Sequence, residues 1–466
     1  MYKFDDGQMN ISDFGQPIGM KLREDNRWVK KAQMIPWGTI EHRYASLFKN
    51  RKGNVAKPLR MALGACLIQA EYGYSDVEVA LQIQEGAYLQ FFCGYKAYDD
   101  SKPPFDPSMM VYFRKRLTPE ILGEINELVI SQQEIPSKDD DDDDNDDKNG
   151  GTMIVDATCA PSQIKYPTDT ALLNEARENT EAMIDELHTP GQKKPRTYRK
   201  RARKDYLSVV RNRKPGAKKI RKAIGKQLNY LRRNLNTIET LLQSGKTLSP
   251  NKYERLETVH KLYEQQKYMF DNHTHSVPDR IVSLSQPWIR PIVRGKSNAA
   301  VEFGAKLDIS VVDGWTRLEV FSFDAYNESV GLKDMIERFR ERTGHYPSRV
   351  LADKIYRNRD NLAYCKANGI RLSGPALGRP KKDVPVDKKQ NYIDECERVE
   401  VERRFSLAKR KCDLGLITAR LEATACHCLA ISVLALNLRR IQHALIRFCD
   451  ILIRFFGTGF ETVFVQ

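Results

Sequence analysis

A short apolar run that ends in an aspartate is the feature that most limits what this chain can fold into. Met153, Ile154 and Val155 lead to Asp156, and small residues follow as far as Pro161. So short a run with these neighbours is typical of a buried central strand. A carboxylate at such a position requires a partner charge or a metal ion. The simpler alternative is an aspartate that caps a loop or pairs with an arginine.

Composition narrows the class of protein. The chain has 466 residues, enough for two or three domains, and a net charge of +15 with a pI near 9.2, which favours a polyanionic partner. Its nine cysteines form no CxxC pair, so we expect neither a disulfide framework nor a zinc finger. Cysteines without disulfides favour a reducing compartment, and we therefore expect a cytoplasmic location. The first residues are too polar for a signal peptide, and the apolar stretch 426–438 is too short to span a membrane.

The positive charge is concentrated in one segment. Residues 193–233 contain eighteen Lys or Arg and a single acidic residue, Asp205, an excess larger than the net charge of the whole chain. Apolar residues recur at helical spacing from Leu228 to Leu242, so one helix face is expected to pack while the rest stays basic. Such a density of cations predicts contacts to a nucleic-acid backbone. A solubilising basic surface is the alternative.

A second basic cluster lies in a predicted helix over residues 107–117. It has no clear helix-turn-helix signature, and a solvated basic face explains it nearly as well as DNA binding does. The predicted DNA-binding residues of both segments are Arg114, Lys115, Arg116, Arg199, Lys200, Arg201, Arg203, Lys204, Arg211, Arg213, Lys218, Lys219, Arg221 and Lys222.

Between these two segments lies an almost pure aspartate run, residues 139–147. It repels itself and cannot form a core, so we predict a disordered linker. A calcium site is the alternative, but the run lacks the spaced ligands and the glycine of an EF-hand loop.

Strand patterns return after residue 300. Apolar residues alternate with small or polar ones from Phe303 to Val311, Asp313-Gly314 predicts a tight hairpin turn, and 315–323 is the return strand. A helix over 330–342, a strand over 349–352 that ends at Asp353, a helix over 358–368 and a strand over 370–372 follow. Two further helices are predicted over 394–411 and 420–456.

The helix over 394–411 carries a second candidate carboxylate. Arg398, Glu402 and Lys409 fall on one narrow arc, which Phe405 and Cys412 share, so this face turns toward protein. A structural salt bridge is a serious alternative. Two strand-borne aspartates and one helix-borne glutamate are, however, also what a site for two Mg²⁺ ions requires.

Four sequence blocks carry a resemblance to a known family. PFDPSMMVYFRKRL, MIVDATCAP, VLADKIYRNRDN and RVEVERRFSLAKRKCDLGL occur in this order. The chain resembles the DDE transposases of bacterial insertion sequences, in particular insertion-sequence family five and its relatives. The resemblance implies that Asp156, Asp353 and Glu402 are the catalytic, metal-binding triad. Arg398, Lys409 and Tyr356 would be accessory phosphate-binding residues.

The resemblance also implies a fold and a reaction. The expected fold class is α/β, with a ribonuclease H-like mixed sheet, a large helical insertion and a helical N-terminal domain. The expected enzyme cuts DNA at the terminal inverted repeats of its element and joins the 3′-hydroxyl ends to target DNA. It would use two Mg²⁺ ions, which Mn²⁺ can replace. It would act as a homodimer on the paired ends of the element, and no membrane association is expected. An inactive DNA-binding regulatory copy and a nuclease without strand transfer remain alternatives.

The expected domain boundaries follow from these patterns. They are 1–138 for the N-terminal helical domain, 139–150 for the acidic linker, 151–170 for the first catalytic strand, 171–290 for the basic helical insertion, 291–425 for the rest of the catalytic domain, and 426–466 for the C-terminal helices.

Overall fold

The computed structural model of the protein describes most of the chain. The described residues are 2–4, 7–16, 19, 21–49, 54–133, 149–293, 301–375, 377–378 and 388–456, without the side chains from 443 onward. The predicted acidic linker over 139–147 lies outside them. The chain forms two compact units. The first comprises Met1–Ala160, Lys306–Phe321 and Tyr326–Gln466, and the second comprises Pro161–Ala305 and Ser322–Ala325.

The described elements make this an α/β protein. The strands are β1 (Thr152–Pro161), β2 (Arg290–Val293), β3 (Val301–Val312), β4 (Trp315–Ser322), β5 (Arg349–Leu351) and β6 (Arg371–Leu372). The helices are α1 (Arg27–Met34), α2 (Trp37–Ala45), α3 (Leu59–Tyr72), α4 (Asp76–Glu85), α5 (Ala87–Phe92), α6 (Met109–Arg116), α7 (Pro119–Ser131), α8 (Asp169–Leu187), α9 (Arg199–Val210), α10 (Ala217–Gln243), α11 (Pro250–Asp271), α12 (Leu332–Thr343), α13 (Arg359–Ala367), α14 (Lys388–Lys411) and α15 (Glu422–Phe456).

The first unit contains most of the sheet. Its strands follow the order β3-β1-β5-β6, with β4 paired to the free side of β3, and β5 runs parallel to both β1 and β6. The strand predicted around Asp156 is confirmed as β1, which ends at Pro161, as expected, and has Asp156 in its middle.

The predicted hairpin is confirmed. β3 and β4 are joined by Asp313 and Gly314, whose φ angles of 50° and 77° are those of a tight two-residue turn. The guanidinium of Arg440 donates to the carbonyl of Asp313 at 2.6 Å. Alternation predicted one polar face for β3, yet Asp308 and Ser310 on that face are also fully buried.

The helices of the first unit were predicted with small boundary errors. Ser75 caps α4, as expected, by accepting from the backbone N–H of Glu78 at 3.2 Å. Gly344 ends α12 with a φ of 84°, and α14 begins six residues before the predicted start. One described segment, Glu422–Gln442, is long and apolar enough to cross a membrane, but 78% of its apolar window is buried inside the protein.

The second unit is a helical assembly built on α8, α10 and α11. Its core includes the predicted apolar stripe of α10, in which Leu228, Leu231, Leu235 and Ile238 are buried and Leu242 packs against them. In the same unit β2 pairs antiparallel with residues 301–304 of β3. The basic residues of α9 and α10 therefore lie on helices that a packed core holds in place.

Candidate active site

Asp156 and Asp353 come together through strand pairing. The parallel register pairs Thr152 with Arg349 and Ile154 with Leu351. The same offset, continued by two residues, places Asp156 level with Asp353, which lies two residues beyond the end of β5. Asp353 caps a 3-10 turn by accepting from the N–H of Lys354 at 2.7 Å. A carboxylate in the middle of β1 thus lies beside one at the end of the neighbouring strand.

Ion pairs attach α14 to the first residues of β5 and β6, at the opposite end of these short strands from Asp353. Asp394 is buried, accepts from Arg371 of β6 at 2.7 Å, and lies 3.5 Å from the guanidinium of Arg349 of β5. A second guanidinium nitrogen of Arg349 lies 2.6 Å from Glu397. Glu402, whose side chain is 56% exposed, follows Glu397 by five residues on the same helix. These pairs hold the N-terminal half of α14 against β5 and β6.

Arg398 links the first aspartate to the glutamate. One guanidinium nitrogen lies 3.7 Å from Asp156 Oδ2 and another lies 3.3 Å from Glu402 Oε1. The predicted arc of α14 is confirmed, because Phe405 and Cys412 on it are buried. The structure therefore brings Asp156, Arg398 and Glu402 into one chain of charges, and it also contains the aspartate–arginine pair of the simpler interpretation.

The surroundings of Asp156 disfavour its negative charge. Burial, above all, raises the pKa of Asp156 to about 6, and the negative charges of Asp353 and Glu328 act in the same direction. The N–H of Ala157, which donates to Oδ1 at 2.8 Å, and the guanidinium of Arg398 only partly oppose these effects. An additional cation at this place would be stabilised by several carboxylates.

Asp156, Asp353 and Glu402 do not form a complete metal site in this arrangement. Among the described residues, no three His, Cys, Asp or Glu side chains are grouped closely enough to hold a metal ion. Asp156 and Asp353 supply the hard oxygen ligands that Mg²⁺ takes. Glu402 lies beyond Arg398. The carboxylate oxygens of these three residues are of the type that binds a divalent cation. Two of the carboxylates are in register, and Arg398 links the third to Asp156.

Two predicted accessory residues have different placements. Lys409 is half-buried on the Glu402 side of α14. Tyr356 is fully buried in the core beside Met153, Val155 and Leu332. Its hydroxyl is not exposed and makes no hydrogen bond within the protein. The prediction of Tyr356 as a phosphate-binding residue is therefore corrected: the side chain has no surface with which to contact a phosphate.

The basic residues of α6 also differ from one another. Arg114 is buried and donates to both carboxylate oxygens of Asp76, at 2.7 and 2.6 Å. The predicted DNA contact at Arg114 is corrected, because its guanidinium is occupied inside the protein. Arg116 is half-buried with its guanidinium 4.9 Å from the centre of the Phe48 ring, whereas Lys115 is exposed.

The second unit exposes most of its predicted contacts. Arg199 is exposed but donates twice to Asp185, and Arg221 is half-buried over the Phe270 ring at 4.2 Å. Asp205, the one acidic residue of the segment, accepts from Lys226 and from the Tyr230 hydroxyl. The remaining predicted cations of this unit are exposed: Lys200, Arg201, Arg203, Lys204, Arg211, Arg213, Lys218, Lys219 and Lys222.

The sequence analysis missed a buried carboxylate beside this site. Burial raises the pKa of Asp308 to about 7, and the charges of Glu328 and Asp156 add to the effect. The Tyr326 hydroxyl donates to Asp308 Oδ1 at 2.7 Å and opposes it. An aspartate among the polar positions of β3 was the available signal.

Comparisons with known proteins show similarity to two transposase domains. A family model described as a transposase domain matches residues 17–116, and one described as a transposase DDE domain matches residues 350–439. The second match includes Asp353, Arg398, Glu402 and Lys409.

One curated relative has no assigned function. It is the uncharacterized protein ORF8 in the nfe locus of Rhizobium meliloti, 28% identical over 144 residues, which are 31% of this chain and 66% of the relative. The chain thus spans just under two thirds of that relative's length. No solved structure matches the chain. The chain is thus similar to a transposase domain and, further along, to a transposase DDE domain, and these matches support a DDE transposase of an insertion sequence.

Proposed function

We propose that this chain is a transposase that cleaves DNA at the ends of its element and transfers the 3′-hydroxyl ends to target DNA by two-metal-ion phosphoryl transfer. The observation that carries the proposal is that the strand register places Asp156 level with Asp353, and that Arg398 links Asp156 to Glu402. We further propose that these three carboxylates are the catalytic, metal-binding triad and that the protein is related to insertion-sequence family five.

The order of the strands supports a ribonuclease H-like catalytic domain. A hairpin of β3 and β4 lies on one side of β1, and the parallel strands β5 and β6 lie on the other. The two aspartates belong to neighbouring strands of this sheet, and the glutamate belongs to a helix packed on it. A rigid sheet is the kind of support that holds ligands in place for a metal.

Each site residue has a proposed role. Asp156 and Asp353 provide carboxylate oxygens for divalent cations, and Glu402 completes the set after Arg398 turns away from it. When bound, two Mg²⁺ ions would activate the attacking oxygen and stabilise the leaving oxygen of the displaced phosphate. Arg398 and Lys409 would bind the phosphates on either side of the cleaved bond.

DNA affinity is assigned to the exposed cations. Those of α9, α10 and the turn between them would contact phosphates without reading sequence, and Lys115 would add a contact from the N-terminal helices. Since two element ends must be joined in one reaction, we propose a homodimer on DNA.

A strand-joining assay tests the proposal. The full chain is mixed with a labelled element-end duplex, a target plasmid and Mg²⁺ or Mn²⁺, with Asp156→Asn and Glu402→Gln as the matched variants. Joining by the wild type and by neither variant is expected. DNA binding without nicking or joining would instead favour an inactive regulatory copy, and nicking without joining would favour a nuclease.

A further inference from the structure

Glu328 is a carboxylate outside the motif blocks that lies in the same region as Asp156. It begins a 3-10 turn, Glu328–Gly331, between β4 and α12. Its side chain is only 15% exposed and lies 2.6 Å from the Lys306 ammonium group. Lys306 also donates to the carbonyl of Tyr326 at 2.9 Å. Glu328 is therefore held by one cation, at a place where solvent gives little support to its charge.

The turn of Glu328 is tied to the turn that follows Asp353. The side-chain amide of Asn361 donates to the carbonyl of Ser329 at 2.7 Å and to the carbonyl of Tyr356 at 2.9 Å. The two 3-10 turns also contact each other directly. One buried amide thus fixes the position of Glu328 with respect to Asp353.

The charges of the region act on each other across these elements. The negative charge of Glu328 raises the pKa of Asp156 and of Asp308, in both cases in addition to burial. Asp353 acts on Asp156 in the same way. Lys306 and Arg398 are the cations that act against them. Four carboxylates therefore share one small region with two cationic side chains.

Two buried polar atoms in this region have no partner in the protein. They are Oδ2 of Asp308 and the hydroxyl of Tyr356, and both residues have no exposed surface. Burial and the charges of Asp308, Glu328 and Asp156 all raise the pKa of Tyr356, so its hydroxyl lies near these carboxylates. Unpaired buried polar groups are rare, because each loses its hydrogen bonds to water without gaining one in the protein. They are accounted for if the region receives a hydrated cation.

We propose that Glu328 is a further carboxylate of the active site. When a divalent cation binds, the Glu328 side chain separates from Lys306 and binds the cation together with Asp156 and Asp353. In the metal-free protein, the ammonium group of Lys306 pairs with Glu328 in place of the metal. This inference rests on the proposed function, and it assigns to the first cation a ligand set from β1, from the turn after β5 and from the turn before α12. Glu402 is left to a second cation.

Cation binding by the full chain without DNA tests this assignment. Mn²⁺ is titrated and the free ion is followed by electron paramagnetic resonance. Glu328→Gln, which can still accept from Lys306, is expected to weaken the tightest site by roughly 10- to 100-fold. Lys306→Met is expected to tighten it, because it removes the competing cation. The matched control is Asp334→Asn, an exposed carboxylate on α12, which is expected to leave the affinity unchanged.

The opposite effects of Glu328→Gln and Lys306→Met on Mn²⁺ affinity distinguish a metal ligand from a residue that only forms a structural ion pair. If Glu328 only pairs with Lys306, neither variant alters Mn²⁺ affinity while Asp156→Asn still abolishes it, and the inference is overturned. If Asp156→Asn and Asp353→Asn also leave Mn²⁺ binding intact, the proposed function itself fails.

A measurement on the unmodified protein covers the case in which a variant does not fold. Fe²⁺ replaces the bound ion and is treated with peroxide and ascorbate, which cuts the backbone near the metal. Cuts are expected near residues 156, 353 and 328. Cuts at the first two positions without any at 326–330 would also overturn the inference.

Discussion

Replacement of Asp156 by asparagine is expected to stabilise the metal-free protein. In the folded state the pKa of Asp156 is raised from 3.8 to about 6. The folded protein therefore binds that proton more tightly than the unfolded chain does. The stabilising contribution of the protonated carboxyl is complete below about pH 4 and is lost as the pH rises through about 6. Two pKa units correspond to roughly 3 kcal/mol of penalty at neutral pH.

Asparagine removes this penalty but also removes an ion pair. The Asp156–Arg398 contact at 3.7 Å is partly exposed and contributes about 0.2–1 kcal/mol. The amide oxygen of asparagine can still accept from the N–H of Ala157. The pKa of about 6 already includes the attraction of Arg398, so this ion pair is not subtracted again, and a gain of roughly 3 kcal/mol is expected near pH 7.5 and almost none near pH 4.

Unfolding in EDTA at both pH values measures this difference. Because the chain has two compact units, the unfolding of the first unit is followed by amide exchange of β1 rather than by a single melting curve. Asp334→Asn serves as the control and should change nothing. The reasoning is refuted if Asp156→Asn is no more stable than the wild type near neutral pH, or if its gain is the same at both pH values.

Three further outcomes follow from individual contacts. Arg398→Ala should reduce strand joining by about 100-fold with DNA affinity retained, and Arg398→Lys should keep part of the activity; equal losses of binding would contradict its place at the cleaved phosphate. Alanine at the cations of 200–204 should lower DNA affinity and reduce the salt slope by about 0.9 per lost phosphate contact, measured by titration at several salt concentrations; an unchanged slope would remove α9 from the interface. Arg114→Met should destabilise the first unit by about 2 kcal/mol, because half-buried Asp76 loses its partner, whereas Lys115→Ala should not; a DNA-binding defect at normal stability would reverse this assignment.

Local signals in the sequence predicted most of the elements. The Asp313-Gly314 turn, the Ser75 cap and the glycine that ends α12 each have a mechanism that involves only a few neighbouring residues. The leucine stripe of α10 and the packed arc of α14 follow from helical periodicity alone. For the same reason, local pattern was enough to assign Asp156 to a strand, Asp353 to the end of the next parallel strand and Glu402 to a helix.

Contacts between distant parts of the chain were not predictable in this way. Whether Arg114 faces solvent depends on Asp76, which lies 38 residues earlier on another helix. Tyr356 follows the second aspartate closely in sequence, yet a 3-10 turn directs its ring into the core. Asp308 belongs to a strand buried on both faces, which strict alternation does not indicate. In each case the partner is set by tertiary packing.

The two compact units divide affinity from chemistry. The exposed cations of α9 and α10 belong to the second unit, whereas Asp156, Asp353, Glu328 and Glu402 belong to the first. On the proposed function, the carboxylates of the active site repel a phosphate backbone until divalent cations reverse the local charge. Most of the DNA affinity without metal is then expected to come from the second unit, with Lys115 adding a contact from the first. Monovalent salt should accordingly weaken DNA binding in EDTA steeply, while Mn²⁺ affinity measured without DNA should change far less, because partly buried carboxylates are screened less than surface cations.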